Sequence, residues 1–327
     1  MGTPTPPRRL VFPVLLTLFG FIVSGGAGAF FYFLPVIQTA FSATGHNDLP
    51  AATQPPAGSS PRAAPGSNDP FTVLLLGSDN DAKFSSTSLL TQSMILVRVI
   101  PATKQVTMLS IPRDLYVPIN GGGTAKIDTA FAYGGARNAI ATVQNAFHVH
   151  VDHYVWIGLK GLTALIDAVG GVDVVTGNPV LDDFYPADLS GGNPYDYQRV
   201  AVLPAAQHLD GIHALEYVRS RHGDLREDFG RSERQQQVLV ALRAKTKTLS
   251  ATNLPDIAAA LGNQLTTDMG IGQVADLLPI AGGIPSESIK HVLLLPPYTS
   301  GAQVGDQDVV MPNWSLILPL VAQTFPA

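Results

Sequence analysis

Cysteine is absent from the 327 residues, which excludes disulfides and thiolate-held zinc and removes any signal of redox compartment. Charge is scarce as well: Asp, Glu, Lys and Arg make up 14% of the chain, the net charge is −5 and the pI is near 5.9. A nucleic-acid binder usually carries a basic domain, and this balance argues against one, so no nucleic acid is expected as a partner. What is there is apolar. The chain is 46% hydrophobic with mean hydropathy +0.19, ample for one large core or two smaller ones.

One long hydrophobic run, Leu10 to Leu34, follows Arg8 and Arg9. As a helix its 25 residues would span roughly 37 Å, enough to cross a hydrocarbon core of about 30 Å with tilt. Pro13 and several glycines interrupt the run, which membrane helices tolerate. Arginines before it and none soon after place residues 1–9 in the cytoplasm, with Phe30 to Phe33 as an aromatic belt on the outer side. Ala27-Gly28-Ala29 looks like a signal-peptide cleavage site, but apolar residues continue past it, so an uncleaved anchor is the preferred reading. Residues 42–69 are rich in Ala, Pro, Gly and Ser and are expected to form a tether with a reach of about 30 Å. Residues 70–327 then form one domain held close to the outer face of the membrane.

Within that part, strands and helices alternate. Phe71 to Leu76, Met94 to Ile100, Gln105 to Ile111, Tyr154 to Ile157, Gly171 to Val175 and His291 to Leu295 read as strands. Gly135 to Phe147, Leu159 to Val169, Asn253 to Gly262, a start at Thr267 and a segment from Pro312 to Phe325 read as helices. The segment from Gly121 to Asp128 reads as a flexible loop presenting Lys126 and Asp128, and Asn178 to Gln198 as a polar loop. The fold class expected is α/β: a mixed central sheet with helices on both faces, an αβα sandwich, plus one N-terminal transmembrane helix.

The stretch from Tyr217 to Gln237 carries five of the chain's 20 Lys and Arg residues. Arg219 and Arg221 would leave one face of an extended segment. Arg231 and Gln235, four apart, would share a face of the helix that starts near Asp228. Guanidinium forks beside a helix N-terminus suit an anion. Asp79 and Arg113 fall at the C-terminal ends of strands, where binding groups gather in α/β sheets. His148, His150 and His153 lie close enough in sequence to suggest a zinc site, but read better as surface or core-edge histidines.

Seven motifs occur in an order that resembles the LytR-CpsA-Psr family: Leu74-Leu-Leu-Gly-Ser-Asp79, Ser110-Ile-Pro-Arg-Asp114, Lys126-Ile-Asp128, Tyr133-Gly-Gly, Ala168-Val-Gly-Gly-Val-Asp-Val, Tyr217-Val-Arg-Ser-Arg221 and Asp228-Phe-Gly-Arg-Ser-Glu-Arg-Gln235. The resemblance implies a transferase that moves a glycopolymer from a polyprenyl-pyrophosphate carrier onto peptidoglycan, with the lipid tail in an apolar channel and Mg²⁺ at the pyrophosphate. A pyrophosphatase side activity would accompany it. It assigns Asp79 to the metal. It assigns Arg113, Arg219 and Arg221 to catalysis, and Lys126, Arg231 and Gln235 to the pyrophosphate. The chain departs from the pattern at Leu90-Thr-Gln92-Ser-Met94, where the family usually has Arg-Ser-Asp-Thr-Met, so Gln92 stands where a carboxylate is expected. That neutral residue keeps open the alternative of a protein that binds the polyprenyl-linked polymer without turning it over. A transcription regulator is disfavoured by the outward topology and the acidic charge. Asp79 and Asp114 are the candidate general bases.

Overall fold

The computed structural model describes residues 68–78, 89–187, 193, 195–220, 227–245, 247, 249, 254–261 and 264–326. The expected membrane helix at 10–34, nearly all of the tether at 42–69, Asp79 and Arg221 lie outside the described residues. Among the described residues no helix is long and apolar enough to cross a membrane.

β1 (Phe71–Ser78) is a near-continuous apolar run, as a strand covered on both faces requires. β2 (Thr91–Ile100) and β3 (Gln105–Ile111) pair antiparallel across a one-turn 3₁₀ connection at Pro101–Thr103, with Lys104 left-handed at φ 54°. β4 (Tyr116–Pro118) and β5 (Thr124–Lys126) form a small hairpin. α1 (Ala130–Phe147) bends at Gly134 and Gly135, the latter at φ 63°, where a side chain would be strained. β6 (His153–Gly158), α2 (Leu159–Ala168) and β7 (Val172–Thr176) follow, then the hairpin of β8 (Val180–Pro186) and β9 (Tyr197–Val202), and β10 (Ala205–Leu209) beside β7. The remaining elements are α3 (Gly211–Arg219), α4 (Glu227–Lys245), α5 (Leu254–Leu261), β11 (Leu265–Thr267), α6 (Ile271–Gly283), β12 (Ile289–Leu293), β13 (Thr299–Val304), β14 (Gln307–Pro312) and α7 (Trp314–Thr324).

The central sheet has six strands in the order β11-β6-β1-β2-β3-β12. β1 is parallel to β6 and β3 to β12, while β2 and β11 run antiparallel to their neighbours. The sheet is therefore mixed, as expected. Strand alternation sends Leu74, Leu76, Met94, Leu96, Leu109 and Ile111 into a core closed by Ile140, Val143 and Phe147 of α1 and by Ile317 and Val321 of α7. The alternate residues Ile95, Val106 and Met108 meet Leu239 and Val240 of α4 and Ile280 of α6 on the other face. Helices thus cover both faces. A further core joins β7 to β9 with α2, α3 and α4 through Ile166, Val174, Val200, Tyr217 and Val238. α2 and α3 approach closely at Gly211, where an added Cβ would sit 2.3 Å from the Thr163 carbonyl oxygen.

Four expectations change. The segment from Gly121 to Asp128 is no flexible loop: Tyr116 to Pro118 pairs with Thr124 to Lys126, and Ile127 N–H donates to Leu115 O at 2.8 Å. Asn178 to Gln198 contains β8 and the start of β9, whose pairing shifts register between Asp182 and Tyr185 and so breaks the simple alternation. Thr267 ends a strand rather than starting a helix, its hydroxyl donating to Tyr154 O at 2.7 Å; α6 begins after Gly270. Pro312 likewise closes β14 before α7 begins at Trp314.

Candidate functional site: an apolar cavity under a cationic rim

β1 and β3 end on the same edge of the sheet, and β2 begins there, so residues 78, 91–93 and 111–113 share one rim. Between this edge and helices α2, α3 and α4 lies a cavity of about 180 Å³. Leucine dominates its walls, with Leu75 from the sheet, Leu162 and Leu165 from α2, Leu215 from α3, and Leu239 and Leu242 from α4. Its polar lining among the described residues is Ser78, Gln92, Ser93, Arg219 and Gln235.

Each polar group is held. Arg113 Nη1 donates to Gln92 Oε1. Ser93 Oγ donates to Gln235 Oε1 at 2.9 Å, which ties α4 to β2. Lys126 Nζ lies 2.8 Å from Asp114 Oδ1, and Arg113 Nε lies 3.4 Å from Asp114 Oδ2. Burial alone would push the Asp114 carboxyl up. The Lys126 hydrogen bond and the charges of Arg113, Lys126 and Arg231 outweigh it and hold the group below its ordinary value. Arg231 is 6% exposed and lies one helical turn before Gln235 on α4, and its charge helps lower the Asp114 pKa. Arg219 stands over the ring of Tyr185 at 5.8 Å, a cation–π contact from the β8–β9 hairpin.

Arg219 does not sit on a strand as expected. It is the last residue of α3, a helix capped by Asp210 through the His213 N–H at 2.9 Å and continued by buried Ala214, Leu215, Tyr217 and Val218. A cation in a last helical turn also meets the negative end of the helix. The structure therefore gathers Arg113, Lys126, Arg219, Arg231 and Gln235 around one rim. Asp79 and Arg221 fall outside the described residues, one position beyond β1 and two beyond α3.

Sequence reasoning gave no role to three contributors. Arg234 donates Nε to Tyr217 O at 2.7 Å and Nη2 to Ser220 O, fixing the end of α3 beside Arg219; burial lowers its pKa to about 10. Gln236 bridges β3 and β12, donating to Ser110 Oγ at 2.8 Å and facing His291 Nδ1 at 2.6 Å. Asp128 is 4% exposed, its Oδ1 has no hydrogen-bond partner, and its pKa is raised to about 6 by burial and by Asp114 against the opposing pull of Arg113 and Lys126. The histidines separate: His148 closes α1 at φ 55°, His150 lies 3.4 Å from Asp152, and buried His153 lies 2.8 Å from Asp268. Among the described residues no three His, Cys, Asp or Glu side chains are placed to hold a metal.

The sheet and rim define a class of α/β protein in which a leucine-walled cavity ends at clustered guanidinium groups. The chain belongs to the LytR-CpsA-Psr family, whose model matches residues 36–305. It is 35% identical over 203 residues to "Polyisoprenyl-teichoic acid--peptidoglycan teichoic acid transferase TagU" of Enterococcus faecalis, covering 62% of each chain. Among solved structures it is similar to B. subtilis TagV (27% identity, TM-score 0.64, covering 79% of this chain and 96% of that one). It is also similar to TagT bound to LIIa-WTA (25% identity, TM-score 0.67, covering 86% and 100%).

Proposed function

We propose that the protein transfers a glycopolymer from a polyprenyl-pyrophosphate carrier to a hydroxyl of peptidoglycan, outside a membrane to which residues 10–34 anchor it. The observation that carries this reading is the continuity of the apolar cavity with Arg219, Gln92 and Gln235. An isoprenoid tail matches the leucine walls, and a diphosphate head matches the rim. The printed names of the relatives, a polyisoprenyl-teichoic acid transferase and TagT bound to LIIa-WTA, support it.

In this reading the acceptor hydroxyl attacks the phosphorus that bears the glycopolymer. A new P–O bond forms, the bridging P–O bond breaks, and polyprenyl phosphate leaves with the electron pair. Arg113, Arg219 and Arg231 neutralise the charge that develops, each charge-assisted hydrogen bond contributing about 1.5–3 kcal/mol. Asp114 is a poor base because Lys126 and Arg113 hold it as carboxylate. Asp128, pushed up to about 6 with Oδ1 unoccupied, is better matched to take the hydroxyl proton near neutral pH. The family resemblance implies Mg²⁺ held by Asp79, whose placement lies outside the described residues. A hard dication takes anionic oxygens, and the described rim does not fit it: Gln92 Oε1 accepts from Arg113, and Asp114 is bound by Lys126.

The test uses the full chain in detergent. Mass spectrometry is expected to find polyprenyl phosphate retained by the protein, and Arg219→Ala is expected to lower transfer by about 10²–10³-fold. Wild-type transfer by the Arg219→Ala protein would reject the reading. The neutral Gln92 favours one second reading, a carrier-binding protein that does not turn its ligand over. A high transfer rate in the unmodified protein removes it.

A further inference from the structure

The register of the sheet decides what the rim shows to a ligand. β2 and β3 pair with Met94 opposite Ile111 and Ile95 opposite Ser110. Continued past the last ladder pair, the same register sets Gln92 opposite Arg113, and their side chains do meet. A guanidinium only donates, so the Gln92 amide turns its oxygen to Arg113 and keeps Nε2, a donor, as its other terminus. The second amide of the cavity lining is committed the same way, since Gln235 Oε1 accepts from Ser93 Oγ at 2.9 Å. Among the described residues, both amide oxygens of the cavity lining therefore already accept from protein donors.

Among the described residues, the carboxylates of this rim give a cation no pair of free oxygens. Asp114 is bound by Lys126 at 2.8 Å and flanked by Arg113. Asp128, 4% exposed with its backbone N–H donating to the Arg113 carbonyl at 3.1 Å, is a single carboxylate that the transferase reading reserves for the acceptor hydroxyl's proton. What the described rim presents to a ligand is a set of N–H groups, and these match phosphate oxygens.

We propose that the carrier diphosphate is neutralised here by nitrogen donors, with Arg113 fixed by Gln92 and Arg219 beside Gln235, and that its binding requires no divalent cation. This rests on the transferase reading, because it presumes a diphosphate at the rim. Gln92 is the residue that decides it. A carboxylate at that position would stay anionic even when paired with Arg113, would repel the diphosphate, and would call for Mg²⁺ to bridge the two. The neutral amide removes the repulsion and the need for a bridge together.

Farnesyl diphosphate is a suitable probe, titrated calorimetrically against the full chain in detergent, once with EDTA and once with millimolar Mg²⁺, each Kd corrected for the free ligand's own Mg²⁺ affinity. The two values are expected to agree within about threefold. Binding at least about tenfold tighter with Mg²⁺ overturns the inference and leaves the transferase reading standing. Absence of binding under both conditions overturns both. Gln92→Asp is the second arm. In EDTA it is expected to bind the probe at least about tenfold more weakly than the unmodified protein, and to recover when Mg²⁺ is added. A Gln92→Asp protein that melts like the unmodified one and binds equally well without metal counts against the role given to Gln92.

Discussion

Burial sets Asp128 apart from its neighbour Asp114. Asp114 has Lys126 and Arg113 in contact and stays ionised, whereas Asp128 is buried with one oxygen unpartnered and is protonated up to a pH of about 6. The charged groups that act on it are Asp114, which raises its pKa, and Arg113 and Lys126, which lower it; the Thr129 N–H also favours the ionised form. Its folded value lies above the ordinary 3.8, so the native state binds the proton more tightly than the unfolded chain does. That contribution to stability is complete below pH 3.8 and is lost as pH rises through about 6. Asp128→Asn is therefore expected to stabilise the protein at pH 7.5 by about 1–3 kcal/mol and to flatten the dependence between these pH values, as read by urea denaturation. The same substitution removes the proposed base, so kcat should fall by about 10²–10⁴-fold. In the unmodified protein the rate should rise with pH through about 6 and then level off. A variant that gains stability and keeps its rate would leave Asp128 without a part in proton transfer.

At the scale of elements, α4 acts as a bracket. Gln235 binds β2 through Ser93, Gln236 binds β3 and β12, and Arg234 holds the carbonyls at the end of α3. Replacing Arg234 by Met leaves those carbonyls buried without their donor, each at a cost of about 1–3 kcal/mol. Arg234→Met is thus expected to lower the urea midpoint and, by loosening Arg219, to raise KM for the lipid substrate. Unchanged stability would show that α3 is held by its other contacts. Much of this architecture is legible in the sequence. β1, β2 and β3 announce themselves as apolar runs. The β8–β9 hairpin is not legible: its register shift interrupts the period of two, Asp182 points inward, and Leu181 and Phe184 point out. β13 is equally silent because nearly all of it is exposed. The cations of the rim stand out by their clustering, but the partners that aim them do not. Only the register shows that Gln92 meets Arg113, and only packing shows Tyr185 under Arg219.

At the scale of the whole molecule, a chain of net charge −5 concentrates cations at one rim next to an apolar cavity. That polarity suits the amphiphilic anion proposed as its ligand, which a membrane surface would deliver. The anchor proposed for residues 10–34 and the tether expected at 42–69 would supply the delivery, since a coil of that length would reach about 30 Å. The side of the membrane we propose rests on Arg8 and Arg9 ahead of the apolar run, a pattern expected to keep the N-terminus in the cytoplasm. Intact cells producing the chain with an epitope at each end provide the measurement. Protease added outside is expected to remove the C-terminal epitope and spare the N-terminal one, while permeabilised cells lose both. If the C-terminal epitope survives until the cells are opened, the rim faces the cytoplasm. Peptidoglycan could not then be its acceptor, and a cytoplasmic polyprenyl-linked intermediate would have to take its place as ligand.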